Sequence, residues 1–178
     1  MPDFPVLRPP NRIILATNSP YYSIGSELNA FGAVAGASDW PTACLGIFVP
    51  ISVNRPLTVL QMFVENGASV NGNMDVGIYD VSGSLIVSSG STAHSGVSAI
   101  QSFDITDTIL NPGMYYLACA IDTASAATIL RYALAAPVCR AVGIAAVSSA
   151  FPLPASVTLT NTSASYIPAI YATLRSTI

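Results

Sequence analysis

The most regular alternation of apolar and polar positions lies between residues 57 and 121. In Asn73–Asp80, Met74, Val76 and Ile78 fall on one side of an extended chain, and Asp75, Gly77 and Tyr79 on the other. A period of two marks a half-buried strand. Val81-Ser-Gly-Ser84 follows, with Ser-Gly suited to a hairpin turn, and then an apolar run from Leu85. Upstream, Leu57–Glu65 is apolar on both faces. That is expected of a strand with one face in a core and the other covered or held in an interface. Downstream, residues 97–106 place Ala99, Gln101, Phe103 and Ile105 on one side. Asn111-Pro-Gly113 is spaced as a type II turn demands, and Gly113–Ile121 reads as the next strand.

On either side of this block the pattern weakens. Residues 1–20 hold Pro2, Pro5, Pro9, Pro10 and Pro20. Proline removes backbone donors and fixes φ, so this stretch reads as an extended arm. Phe4, Val6 and Leu7 give the arm apolar anchors, and Ile13-Ile-Leu15 can make a short first strand. Residues 21–43, with Gly25, Gly32 and Gly36, suit a long loop or a bulged strand closed by Trp40-Pro41. Trp40 can stack on a sugar, plug an interface or fill a core. Pro50 puts the strand at 45–53 on an edge or at a bulge. Residues 128–134 read as a further strand. Residues 136–149 are alanine-rich with Pro137 near their start, which suits a short helix or a buried loop. Phe151-Pro-Leu-Pro154 reads as a rigid linker, residues 157–160 as a brief strand, and residues 166–174 as a closing strand with Pro168 at an edge or bulge. About eight strands at sandwich spacing and no long helix predict an all-β, jelly-roll-like antiparallel β-sandwich. Its organisation is a proline-rich arm at 1–20 followed by a sandwich domain at 21–178.

Composition sharpens this picture. The chain is 52% hydrophobic but only 8% charged, where a soluble domain carries about 25% charged residues. All the positive charge is arginine, at Arg8, Arg12, Arg55, Arg131, Arg140 and Arg175. Charge resists association, so a chain this poor in it is expected to bury surface in an assembly. The net charge of -3 without a basic patch argues against nucleic-acid binding. Met1-Pro-Asp-Phe-Pro5 lacks the cationic and apolar regions of a signal peptide. The long uncharged stretch from Ala141 is broken by Pro152, Pro154 and Pro168, which argues against a membrane span. Cys44, Cys119 and Cys139 are far apart without CxxC spacing and read as buried free thiols.

No chemistry stands out. His94 lies in a loop of Ser, Thr and Gly, no serine sits in GxSxG, and His94 reads as a solvated loop residue. Asp75, Asp80, Asp104, Asp107 and Asp122 lie on or beside strands and turns, where Asp bonds local backbone. Asp104-Ile-Thr-Asp107 offers oxygens for calcium, but no EF-hand loop accompanies it. No phosphate loop, dinucleotide fingerprint or zinc signature is present. The expectation is a non-enzyme without a cofactor or a metal.

The run Met74-Asp-Val-Gly-Ile-Tyr-Asp80 with Gly83-Ser-Leu-Ile-Val-Ser-Ser-Gly90 resembles modules of virion proteins of tailed bacteriophages. So does Phe103-Asp-Ile-Thr-Asp-Thr-Ile-Leu-Asn-Pro-Gly-Met-Tyr-Tyr-Leu-Ala118. The resemblance covers roughly residues 45–134 and rests on structural phrases. It implies a jelly-roll-like sandwich, often a homotrimer, and carries no catalytic residues. The function it implies is a virion structural protein on the capsid surface. Such a decoration (cement) protein clamps neighbouring shell subunits, with itself and the major capsid protein as partners. The alternative is a tail fibre, spike or neck component that binds a host receptor glycan or another virion protein. Phe4, Val6, Leu7 and Trp40 are the expected partner contacts.

Overall fold

A computed structural model describes residues 21–25, 34–132, 135–160 and 166–176. The expected arm at 1–20, including Phe4, Val6, Leu7 and the Ile13–Leu15 strand, lies outside the described residues. The region expected as a long loop or a bulged strand contributes two strands, β1 (Tyr21–Gly25) and β2 (Val34–Asp39). Then come β3 (Gly46–Val53), β4 (Leu57–Glu65), β5 (Asn73–Asp80), β6 (Leu85–Ser88) and β7 (Thr92–Ala93). They are followed by β8 (Ile100–Leu110), β9 (Gly113–Ile121), β10 (Thr128–Tyr132), α1 (Ala136–Ala141) and β11 (Ala145–Val147). β12 (Ile167–Pro168) and β13 (Ile170–Ser176) close the chain.

The pairing pattern is that of a jelly roll. β1 pairs with β13, β3 with β9, β4 with β8, and β5 with β6, all antiparallel. The chain is thus one long hairpin, outer strands with outer and inner with inner. The hairpin is rolled so that β13 also meets β4 and β5 also meets β9. Rolling yields two facing sheets, β1-β13-β4-β8 and β11-β3-β9-β5-β6. A small third sheet, β12-β10-β2, lies beside them. The all-β sandwich expected from the alternation is the fold observed. Pro168 sits in β12, the outermost strand of the small sheet, and Pro50 lies where β11 no longer flanks β3. Both positions are edges, where a missing N–H costs no ladder bond.

The core between the two large sheets contains Val49, Val59, Met62, Met74, Val76, Ile78, Phe103, Leu117 and Cys119, all buried. β5 departs from the half-buried expectation, because both its faces are covered. Met74, Val76 and Ile78 face this main core. Tyr79 faces a second cluster with Phe48, Ala118, Ala120, Ala145 and Leu153. That cluster is covered by residues 148–160, which run from β11 across the outside of the β3-β9-β5-β6 strands as a strap. The segment expected as a linker, Phe151–Pro154, is therefore packed, with Leu153 buried. Residues 157–160 form no strand of their own.

Candidate interaction surface

The two outer faces of the sandwich differ. On the β3-β9-β5-β6 side, Gly77, Ala118 and Ala120 leave a shallow trough because their side chains are small. The strap fills it. A Cβ on Gly77 would meet the Val87 carbonyl oxygen at 2.7 Å and a Leu153 methyl at 3.0 Å, so only glycine fits here. The Tyr79 hydroxyl donates to the Pro154 carbonyl at 2.6 Å, and the Tyr79 ring stands edge-on to Phe48. Val157 donates to the Gly83 carbonyl and Leu85 to the Ala155 carbonyl. Gly83 has φ +84, and any Cβ there would strike the Val157 carbonyl oxygen.

Asp75 anchors the strap from beneath. It is buried, and its Oδ2 accepts the Leu153 N–H at 2.9 Å while Oδ1 accepts the Ser89 hydroxyl at 3.3 Å. This is not the local turn bonding expected of aspartate, which Asp80 does show with Ser82 and Ser84. Burial holds the Asp75 carboxyl above its ordinary 3.8, with the Leu153 and Ser89 bonds pulling the other way. The folded chain therefore favours the protonated form. Its contribution to stability is full below 3.8 and is lost as pH rises through the raised folded value. Asp75→Asn cannot ionise, so denaturant midpoints for this variant should lose that pH dependence. Asp75→Ala leaves the Leu153 N–H without its acceptor and should cost about 1–3 kcal/mol.

At the end of the sandwich where β4 meets β5, a buried polar node pins the loop between β6 and β8. His94 was expected to be solvated, yet it is only 5% exposed. Its Nε2 lies 3.0 Å from Asn66 Oδ1 and its Nδ1 3.3 Å from the Asn71 carbonyl oxygen. Asn66 cannot flip, because its Nδ2 donates to the Ser95 and Gly96 carbonyls and to Gln101 Oε1. Gln101 is fixed in turn, donating to the Ala93 carbonyl and accepting the Ser95 N–H. The partners of His94 are an amide and a carbonyl, so the node positions a loop. Burial lowers the imidazole below its ordinary 6.5, against a smaller opposing effect from the Asn71 carbonyl. The neutral ring is favoured, so the node's contribution is present above 6.5 and lost as pH falls through the lowered folded value. Hydrogen-exchange protection factors at Ser95 and Ser98 should fall on acidification, and His94→Gln should abolish that step.

The opposite outer face, on β13-β4-β8, has no strap among the described residues. Register places Phe63 beside Ser102 and Tyr171, Gln61 beside Asp104 and Thr173, Glu65 beside Ile100, and Thr58 beside Ile109. Ile100 is 68% exposed and Ile109 62% exposed, while Phe63 and Tyr171 are half-buried. Among the described residues β8 pairs only with β4, so it forms an edge of that sheet. Its register shifts against β4, where Val59 faces Thr108 but Gln61 faces Asp104. The extra residues leave Ile105 inward and Asp107 in solvent. Such a bulge blunts an edge against indiscriminate strand addition. The result is a strip with an apolar residue at each end, Ile100 and Ile109, and Asp104 and Asp107 between them.

Of the four expected contact residues, Phe4, Val6 and Leu7 lie outside the described residues. Trp40 is in the core, 1% exposed. Its indole N–H donates to the Leu45 carbonyl at 3.0 Å, and its ring meets Tyr166 edge-on at 5.4 Å. It offers no ring face to a sugar or a neighbouring subunit. Ile100, Asp104, Asp107 and Ile109 were not singled out as contacts. The signal was there, since a strand with Phe103 and Ile105 inward must turn Ile100 and Asp104 outward. Cys44, Cys119 and Cys139 are free thiols, with Cys44 only half-buried. Among the described residues no group of three His, Cys, Asp or Glu could hold a metal ion, and no helix is long and apolar enough to cross a membrane.

No protein-family model matches the sequence, and no curated protein matches it. Among solved structures, the fold is similar to a chain of T=1 particles derived from infectious bursal virus, with a TM-score of 0.36 and 9% identity. The match covers 86% of this chain, which spans 38% of the length of that one.

Proposed function

We propose that the chain is a virion structural protein, and more narrowly a capsid decoration protein that clamps neighbouring shell subunits. The observation that carries this reading is the asymmetry of the roll. Among the described residues, one outer face is closed by the chain's own strap, and the other presents Phe63, Ile100 and Ile109 with Glu65, Asp104 and Asp107. A chain with 8% charge and such a face is suited to permanent burial against neighbours. Jelly rolls serve in capsids, lectins and metal-binding barrels. Permanent burial favours the shell reading over the tail-fibre or spike reading, in which the face must recognise its partner from solvent.

In this role the chain assembles with itself as a trimer and contacts the major capsid protein, at the capsid surface. Light scattering of the purified chain should give a trimer mass. A soluble monomer at high concentration would count against self-assembly.

A further inference from the structure

We infer that Asn71-Gly72 is a site of spontaneous modification, where the Gly72 nitrogen closes on the Asn71 side chain and converts the asparagine to aspartate and isoaspartate without an enzyme. The chemistry is independent of the assembly role. Asparagine is thermolabile, and the backbone nitrogen of the following residue is the nucleophile. Glycine leaves that nitrogen unshielded by a Cβ. The chain contains the Asn-Gly pair twice, at Asn66-Gly67 and Asn71-Gly72. The fold treats the two differently.

At Asn71-Gly72 the reacting groups are together and open to solvent. Asn71 is exposed. The Gly72 N–H donates to Asn71 Oδ1 at 2.9 Å, so the nitrogen stands beside the oxygen of the carbon it must attack. Gly72 lies just before β5, and its nitrogen makes no ladder bond among the described residues. The leaving nitrogen, Nδ2, is held only by an exposed bond to the Ser125 carbonyl at 2.9 Å. Gly72 has φ +73, and a Cβ there would strike Asp122 Oδ1. The fold therefore requires at 72 the one residue that leaves Asn71 labile.

Asn66-Gly67 is locked. The Gly67 N–H donates to the Thr128 carbonyl at 2.8 Å, and Asn66 is 2% exposed. Asn66 Nδ2 donates to the Ser95 and Gly96 carbonyls and to Gln101 Oε1. Ring closure there must first break these bonds and admit water.

At Asn71 the Gly72 nitrogen gives its proton to solvent and bonds to Cγ. The Cγ–Nδ2 bond breaks, and ammonia leaves a cyclic imide. Water then opens the imide on either side of the nitrogen. Cleavage of the new Cγ–N bond restores the main chain with aspartate at 71. Cleavage of the original peptide bond routes the chain through the side chain as isoaspartate, longer by a methylene. One water is consumed and one ammonia released, with no oxidant or reductant. Either product replaces the donor to the Ser125 carbonyl with a carboxylate near Asp122. Isoaspartate also displaces two carbonyls that face His94. The Gly72 carbonyl accepts the His94 backbone N–H at 3.0 Å, and the Asn71 carbonyl lies 3.3 Å from Nδ1. The change thus reaches the polar node and loosens the loop between β6 and β8 irreversibly.

The test ages the full-length chain in mildly alkaline buffer and maps its peptides by mass spectrometry, with electron-transfer fragmentation to separate isoaspartate from aspartate. The amide at 71 should be lost to both acids, while Asn66 persists at least about tenfold longer because it waits on local opening. In urea both amides should be lost at similar rates. Asn71 persisting in the folded chain while it converts in urea would overturn the site. Asn66 converting as fast as Asn71 in the folded chain would overturn selection by the fold, and no conversion even in urea would overturn the chemistry. The aged acidic form, isolated by anion exchange, should exchange its His94 amide hydrogen faster than fresh chain. Asn71→Ser cannot form the imide and should show no such change on ageing. An unchanged His94 exchange rate in the isoaspartate form would overturn the link to the node.

Discussion

Trp40→Ala is expected to lower unfolding free energy by about 3–5 kcal/mol, the range for truncating a large buried aromatic. The indole fills the space between β2 and the segment leading into β3. Removing it leaves a cavity, frees the Leu45 carbonyl from its donor, and strips the edge contact from Tyr166. Tyr166 is itself tied across the small sheet, its hydroxyl donating to the Ser38 carbonyl at 3.0 Å, and Arg131 stacks 5.3 Å from the centre of its ring. The loss therefore reaches the β12-β10-β2 sheet as well as the core. Urea denaturation followed by circular dichroism measures the effect without relying on the deleted fluorophore. Trp40→Phe should cost less, since a ring remains against Tyr166. An unchanged midpoint with lost assembly would mean that Trp40 acts at a partner surface after all.

Deleting residues 1–12 is expected to abolish attachment to empty shells and to leave the unfolding midpoint nearly unchanged. The deletion removes Phe4, Val6, Leu7, Arg8 and Arg12 together, the apolar anchors and both arm cations. The core among the described residues is built from residues 40–172, and the prediction is that this core unfolds at nearly the same midpoint without the segment. Hot-spot behaviour predicts that the aromatic and arginine positions carry most of the loss. Arg8→Ala with Arg12→Ala should weaken attachment in a salt-dependent way, because exposed charge pairs are screened. Full occupancy by the truncated chain, measured by sedimentation with the shells, would show that the arm is not an anchor.

The jelly roll was legible because long strands with period-two alternation and tight turns carry their own signal. Leu57–Glu65, Asn73–Asp80 and Gly113–Ile121 all appear as strands with the ends expected. The second face of β5 was not legible. Asp75, Gly77 and Tyr79 look like a solvent face until the strap, some 75 residues later, is laid over them. Small residues at Gly77, Ala118 and Ala120 were the available clue, since a solvent face has no reason to be a trough. The polar node was hidden for a similar reason. Asn66, His94 and Gln101 are separated by 28 and 35 residues, and nothing local marks a histidine whose ring is enclosed. Tyr21–Gly25 was hard to place because its partner, β13, is at the far end of the chain.

The most direct test of the virion role is the position of this chain in an image of the particle that contains it. Cryo-electron microscopy should show many copies over the capsid shell, in threefold clusters, each seated across a boundary between shell subunits. Copies confined to the tail, the neck or a fibre would contradict the decoration role. A mature particle with no copy at all would contradict the structural role altogether.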